Sequence, residues 1–161
     1  MPSFGKASKK RLATLCPELV EIANDAIEII DFSIIETARS KSVQDGYFNS
    51  GMSMVKWPNS KHNLSSARPL SEAMDVWPYV KPFGALSGHP DQIKLIAESS
   101  GRSEQEVKEF VYKSFARVSG VIEACAALRR AKVRWGGDWD GDFNLLDQNF
   151  HDLPHIEIVL R

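Results

Sequence analysis

The feature that most constrains the fold is a long amphipathic stretch at residues 103–131. Ser103 opens it and Glu106 stands three residues later, which is the spacing of a capping box at the start of a helix. Apolar residues then recur every three or four positions, the helical period: Val107, Val111, Phe115, Val118, Ile122, Cys125 and Leu128. The pattern predicts one helix reaching about Ala131, with its apolar stripe packed in the core.

Shorter elements surround this stretch. One short helix is predicted before Cys16, and a longer one from Pro17 to about residue 30. A third helix is predicted at residues 42–50, where Gly51 ends it, and a fourth at residues 90–98, before Gly101. Strands are predicted at residues 31–36, 72–76, 132–135 and 155–160, with Pro78 stopping the second and loops at residues 79–88 and 138–150. Because regular βαβ repetition is absent, the fold class is α+β, a small antiparallel sheet packed on helices. The length predicts one domain over residues 1–161.

Composition limits the possible partners. The formal net charge is -1, so the chain has no overall attraction to nucleic acid or to an anionic membrane. It has no apolar run of about 18 residues that could cross a bilayer and no secretory signal. Cys16 and Cys125 are predicted to be buried free thiols. We therefore expect the chain to be made, and to fold reduced, in a cytoplasm.

Two segments carry residues that can bind a metal ion. His62 and Asp75 lie in the first, and Asp152 and His155 precede the last predicted strand. Two imidazoles and a carboxylate suit catalytic zinc, which keeps one position open for water. Asp152 could then take a proton from that water, if the turn at Pro154 brings it close. Taken without the second segment, His62 and Asp75 are better explained as a hydrogen-bonded structural pair, and it is Asp152 and His155 that favour a metal site.

A second histidine offers another metal pair. His151 and His155 are four residues apart, the spacing of two ligands on one helix face. Pro154 disfavours a helix at this place. The pairing of Asp152 with His155 is therefore preferred.

An acidic loop offers a calcium site. Asp138, Asp140 and Asp142 alternate as at the start of a calcium-binding loop. The sixth and twelfth positions, where such a loop needs glycine and glutamate, hold Phe143 and Asn149. A solvated acidic loop is the other interpretation.

Several motifs together resemble the VanY-type zinc peptidoglycan peptidases. These are D-alanyl-D-alanine carboxypeptidases and phage L-alanyl-D-glutamate endopeptidases, of the hedgehog/D-Ala-D-Ala-peptidase fold group. The shared pattern is Ser60-x-His62, Ala73-x-Asp75 and Asp152-x-x-His155. The segments at residues 69–79, 134–139 and 153–155 resemble the phage members in particular. The resemblance runs from about Leu12 to the C-terminus.

The resemblance implies a metal site and a reaction. Zinc would be held by His62, Asp75 and His155, with Asp152 as general acid/base. The aspartate and Pro154 resemble the phage branch, an endolysin that cuts the stem peptide between L-Ala and D-Glu for host cell lysis. A D,D-carboxypeptidase that removes terminal D-Ala and a non-catalytic, zinc-stabilised wall-binding module are the alternatives.

Three further residues are assigned roles by the same resemblance. Arg39 would stabilise the tetrahedral oxyanion. Ser60 and Gln44 are placed with the substrate-binding residues, although a loop-capping hydrogen bond explains Ser60 as well, and Gln44 would help to hold Arg39 or the backbone. The segment between His62 and Asp75 is longer than in the family, so residues 63–72 should form a loop that leaves the site.

The resemblance also implies partners and a location. The substrate would be the peptidoglycan stem peptide, and a holin-type partner would release the protein from the host cytoplasm, where it waits until lysis, to the periplasm and cell wall. No nucleic-acid partner and no membrane insertion are expected. The protein is expected to be a monomer.

Overall fold

Helices and strands alternate irregularly along residues 1–159, which are the residues described by the computed structural model. The helices are α1 Lys6–Leu12, α2 Pro17–Ile29, α3 Lys41–Asn49, α4 Pro90–Ser100 and α5 Glu104–Leu128. The strands are β1 Phe32–Glu36, β2 Ala73–Val80, β3 Gly84–Ala85, β4 Val133–Trp135 and β5 His155–Ile158. Leu160, the last residue of the predicted final strand, lies outside the described residues.

The strands form one antiparallel sheet in the order β1-β2-β5-β4, and β3 pairs with β2 as a short hairpin. The register places Asp75 of β2 opposite His155 of β5. It also places Arg134 of β4 opposite Glu157 of β5. The predicted α+β class is confirmed, and the central strand pair already brings two of the predicted metal ligands together.

The long helix begins as predicted. The Ser103 hydroxyl accepts a hydrogen bond from the Glu106 backbone N–H at 3.2 Å, and the Glu106 carboxylate accepts one from the Ser103 N–H at 2.9 Å. This helix packs against α2, α4 and the strands β2 and β4. It ends at Leu128, earlier than predicted, so Leu128 is exposed and does not belong to the buried stripe.

The prediction that Pro78 stops the second strand is wrong. β2 continues to Val80, and Pro78 pairs with Phe32 of β1. Val76 donates its N–H to the Pro154 carbonyl, on the side of β5, and the nitrogen of Pro78 faces that same side. The β5 pairing ends at Asp75, and on this side the Pro78 carbonyl accepts the Leu86 N–H at 2.8 Å, so the strand continues although the proline donates no N–H.

Two expectations from composition can be compared with the structure. Cys125 is a buried free thiol, whereas the free thiol Cys16 is only partly buried. Among residues 1–159, no helix combines the length and apolarity that crossing a membrane requires.

The sheet has a core face and a polar face. Met74 and Ile156 are fully buried in the hydrophobic core. Asp75 and His155 alternate with them along β2 and β5 and therefore point to the opposite face. This polar face carries the candidate site.

Candidate metal centre and catalytic cleft

Three side chains form a compact triangle of possible metal ligands. His62 Nε2 lies 3.2 Å from His155 Nδ1 and 3.2 Å from Asp75 Oδ1, and His155 Nδ1 lies 3.3 Å from Asp75 Oδ1. Tetrahedral zinc with bonds of about 2.0–2.1 Å separates its ligand atoms by about 3.3 Å. The three donor atoms therefore have the spacing and chemical type that a zinc ion requires.

His62 is oriented by the backbone around it. Its Nδ1 lies 2.6 Å from the carbonyl oxygen of Thr37, just beyond β1. Its own carbonyl accepts the Arg39 N–H at 2.9 Å. The Thr37 oxygen can only accept, so it fixes the proton on Nδ1 and leaves the Nε2 lone pair facing the other two ligands.

The charges of the triangle perturb one another. Burial alone would raise the pKa of Asp75, but the neighbouring His62 and His155 outweigh it and lower that pKa. Burial alone would lower the pKa of His155, but hydrogen bonds to Asp75 and Glu157 raise it to about 9. A metal ion bound among these three groups would displace the protons that they share.

Asp152 is placed by backbone contacts to the end of β4. Its N–H donates to the Gly136 carbonyl at 2.8 Å, and its carbonyl accepts the His155 N–H at 3.0 Å. Gly136 in turn donates to the His155 carbonyl at 2.8 Å. A Cβ on Gly136 would lie 2.3 Å from the Asp152 carbonyl oxygen, so only glycine fits there.

The carboxylate of Asp152 is suited to hold a proton. Burial raises its pKa, and the negative charge of Asp75 raises it further, although His155, His62 and Arg39 act in the opposite direction. No hydrogen bond to this carboxylate is found within residues 1–159. Asp152 lines the same cleft as His62 and His155, and its carboxylate is available to a molecule bound there.

Arg39 is fixed from several sides. Glu36 accepts from its Nε and Nη2, Gln44 accepts from Nη1 at 3.1 Å, and Asp75 accepts from Nη2 at 3.3 Å. Its guanidinium also lies 4.7 Å from the centre of the Tyr47 ring. Among the described contacts one Nη1 donor has no acceptor, which leaves an N–H available to a bound oxygen atom.

Gln44 and Ser60 occupy supporting positions. Gln44 is fully buried and also donates to the Val55 carbonyl at 2.6 Å and the Ser53 hydroxyl at 3.0 Å. It therefore lies behind Arg39, outside contact with a molecule in the cleft. The Ser60 hydroxyl accepts the His62 N–H at 3.3 Å, the loop-capping alternative, while Ser60 also lines the cleft.

Two cavities meet at the site. One, of about 460 Å³, is lined by residues that include His62, Trp139 and Phe150. The other, of about 390 Å³, is lined by residues that include Tyr47 and Trp77. Both cavities share Arg39, Ser53 and Asp152, so an extended molecule lying through both would pass the base and the metal ligands.

The long segment between His62 and Asp75 stays out of these cavities, as expected. None of residues 63–72 lines either one. Arg68 holds the segment by donating to the carbonyls of Asn63 at 2.9 Å, Ser60 at 2.8 Å and Pro58 at 3.0 Å. The loop is therefore fastened beside the site, where it supports the segment that carries His62.

Sequence reasoning missed one buried carboxylate at the site. Glu157 Oε2 lies 3.0 Å from His155 Nε2, and its Oε1 accepts from Arg134. Glu157 stands two residues after His155 on a strand, and this spacing alone places both on one face. Thr37 was also missed, and it has no such signal because it acts through its backbone carbonyl.

The other metal candidates differ from the triangle. Asp138, Asp140 and Asp142 come together, but both oxygens of Asp138 accept N–H groups of their own loop, from Gly141 and Phe143 at 3.0 Å. Hydrogen bonds within the loop account for this arrangement, and nothing at it supports calcium.

The helical histidine pair is not formed. Residues 151–154 have no helical structure. His151 is exposed, and its ring lies 6.1 Å from that of Tyr112. It stands apart from the metal ligands.

Comparisons with known proteins agree with this geometry. The family described as phage L-alanyl-D-glutamate peptidase matches residues 2–159. The L-alanyl-D-glutamate peptidase of Escherichia phage T5 is 27% identical over 161 residues, which are 97% of this chain and 97% of that protein. The crystal structure of Serratia marcescens L-Ala D-Glu endopeptidase ChiX is similar with a TM-score of 0.59 and 21% identity, over 98% of this chain and 91% of that one. At that identity the structural likeness concerns the fold.

Proposed function

The chain belongs to the phage L-alanyl-D-glutamate peptidase family, and we propose that it cuts peptidoglycan stem peptides between L-Ala and D-Glu as a zinc enzyme. Family membership makes it a peptidase that acts on peptidoglycan. The observation that carries the metal proposal is the triangle of His62, Asp75 and His155, whose donor atoms lie 3.2–3.3 Å apart.

The donor set favours zinc over harder cations. Two imidazole nitrogens and one carboxylate oxygen suit zinc, whereas calcium and magnesium prefer oxygen ligands alone. Zinc bound here would polarise the scissile carbonyl and lower the pKa of a water molecule to about 7.

Asp152 is the group that moves the proton. Its carboxylate takes a proton from the attacking water, whose oxygen bonds to the carbonyl carbon of L-Ala. When the C–N bond breaks, Asp152 passes that proton to the leaving amine of D-Glu. The raised pKa of Asp152, caused by burial and by Asp75, favours both steps because the group accepts the proton and then holds it.

Arg39 stabilises the negative charge that develops on the carbonyl oxygen. It lines both cavities, one of its Nη1 hydrogens has no acceptor among the described contacts, and its position is fixed by Glu36 and Gln44 before substrate arrives. A donor that needs no reorganisation is the most effective kind in a water-poor site. Gln44 acts by holding Arg39, and Ser60 by holding the His62 loop and bordering the substrate.

The proposal extends to the domain organisation and to the place of action. Residues 1–161 form one catalytic domain and act as a monomer on the cell wall in this proposal. Release from the host cytoplasm by a holin-type partner remains a prediction.

The proposal is tested by digesting purified muropeptides and weighing the products, with and without a chelator. Products that end in L-Ala, together with peptides that begin with D-Glu, are expected only when zinc is present. Loss of a single alanine would instead identify a D,D-carboxypeptidase. Full cleavage after chelation and dialysis would contradict the zinc mechanism.

A further inference from the structure

We propose that Glu157 is a positioning residue that presents His155 to the metal through Nδ1, and that Arg134 holds Glu157 in place. This inference rests on the proposed zinc site. It gives a role to two residues that have none in the proposed reaction.

Strand geometry brings the three side chains together. His155 and Glu157 are two apart on β5 and share its polar face. Arg134 on β4 is the direct cross-strand partner of Glu157. Opposite charges at such directly paired positions attract one another, so the register itself produces the contact.

The carboxylate of Glu157 selects one form of the His155 ring. Nε2 of His155 lies 3.0 Å from Glu157 Oε2, while Nδ1 faces His62 and Asp75. A neutral imidazole has one N–H and one lone pair. A carboxylate only accepts hydrogen bonds, so Nε2 carries the proton and the Nδ1 lone pair points toward the metal position.

Arg134 fixes the other oxygen of the same carboxylate. Its Nε donates to Glu157 Oε1 at 3.1 Å, and its Nη2 donates to that atom as well. The guanidinium lies 5.4 Å from the centre of the Trp139 ring, which in turn lies 5.4 Å from the ring of His155. With Oε1 held by Arg134, Oε2 remains directed at the histidine.

The substitution Glu157→Gln tests the idea because glutamine has only one side-chain oxygen. Arg134 would take that oxygen, so the amide NH2 would face Nε2 of His155 and favour the ring form protonated on Nδ1. Partners of this kind change metal affinity by about 10- to 100-fold. We expect zinc affinity, measured by competition with a chromogenic chelator, to fall by that amount.

Ring ¹⁵N NMR provides a readout that a general loss of packing would not produce. The zinc-loaded wild type should show Nε2–H at His155, and Glu157→Gln should shift this signal. Arg134→Met, at a half-exposed side chain, should weaken zinc binding less. Adding Arg134→Met to Glu157→Gln should recover part of the affinity, since the amide can then turn its oxygen to Nε2.

Glu21→Gln is the matched control. Glu21 pairs with Arg129 between α2 and α5, and it contacts no histidine ring within residues 1–159. Its substitution removes a glutamate–arginine ion pair outside the site and should leave zinc affinity unchanged.

The outcomes separate this inference from the proposed function. If the wild type binds one zinc and Glu157→Gln binds it within twofold, with Nε2–H retained, the role of Glu157 is wrong and the metal site stands. If the wild type binds no zinc, the proposed function itself fails. Should Glu157→Gln unfold, Arg134→Met alone decides, and unchanged affinity there would overturn the inference.

Discussion

At the scale of single residues, the role proposed for Asp152 opposes the stability of the folded protein. Its carboxyl group is largely buried beside the negative charge of Asp75, and both effects raise its pKa. A group with the ordinary aspartate pKa of 3.8 would be a weaker base. The folded protein therefore binds a proton at Asp152 more tightly than the unfolded chain does.

Asp152→Asn should raise the stability of the metal-free protein at neutral pH. A carboxyl whose folded pKa lies above its unfolded value binds its proton more tightly when folded, so stability falls as pH rises through the folded pKa. The asparagine amide does not titrate, so the variant loses no stability in this way as pH rises. Urea unfolding should show the variant more stable than the wild type at about pH 7, with a smaller difference at about pH 4.

The same variant separates catalysis from metal binding. With zinc bound, Asp152→Asn should hydrolyse muropeptides roughly 10²- to 10⁴-fold more slowly, because no base takes the proton. Its zinc content should equal that of the wild type. A variant that is less stable at neutral pH, or that keeps its rate, would count against the assigned role.

At the scale of elements, the polar face of the sheet is assembled by strand register and by one tight turn. β2 and β5 place Asp75 opposite His155. The turn after β4 fastens the Asp152 segment to Gly136 by backbone hydrogen bonds. The side chains of His62 and Asp75 take no part in these backbone hydrogen bonds, so a change at Gly136 acts first on Asp152 and on the neighbouring His155.

Gly136→Ala should move the base more than the metal ligands. The new Cβ would lie 2.3 Å from the Asp152 carbonyl oxygen, a backbone atom that cannot turn aside. We expect a large fall in kcat, measured on a muropeptide substrate, with zinc still bound to the His62 triangle. Equal activity in the variant would show that the contact does not position Asp152.

A second glycine supplies the control. Gly120 lies on the exposed side of α5, and a Cβ added there would meet nothing within 4 Å. Gly120→Ala should stabilise the protein by about 0.8–1.0 kcal/mol through helix propensity alone. Its activity should match the wild type.

At the scale of the whole molecule, the hydrophobic core and the metal site lie on different faces of one sheet. The core comprises buried apolar residues from the helices α2, α4 and α5 and from the strands. The metal ligands face away from it on the polar side. We therefore expect the fold to persist without a metal ion, unlike that of a small zinc-stabilised domain.

Removing the metal should abolish activity and keep the fold. After chelation, the far-UV circular dichroism should stay close to that of the zinc-loaded protein. Zinc at about 100 times its dissociation constant should stabilise the folded state by about 2.7 kcal/mol, since it binds the folded form only. Loss of helical signal on chelation would show that zinc organises the core.

Much of this molecule was predictable from local patterns. The capping box at Ser103, the glycine ends of α3 and α4 and the α+β class follow from residues close together in sequence, because helical caps and periodicity are local properties. The motif residues His62, Asp75, Asp152 and His155 were also identifiable. Local reasoning failed at two places. At Pro78 it missed that β2 continues, because this depends on the neighbouring strands. At Leu128 it missed that α5 ends there, which leaves this side chain exposed.

What the sequence by itself determined is the set of elements and the kinds of chemistry that the chain carries. Only the tertiary structure decided that His62 Nε2, His155 Nδ1 and Asp75 Oδ1 face one another at 3.2–3.3 Å. It alone placed Gln44 behind Arg39, and Glu157 between His155 and Arg134. The physical reason is that strand register and loop packing fix these distances, both between distant residues such as His62 and His155 and between near neighbours such as His155 and Glu157. No spacing in the sequence contains them.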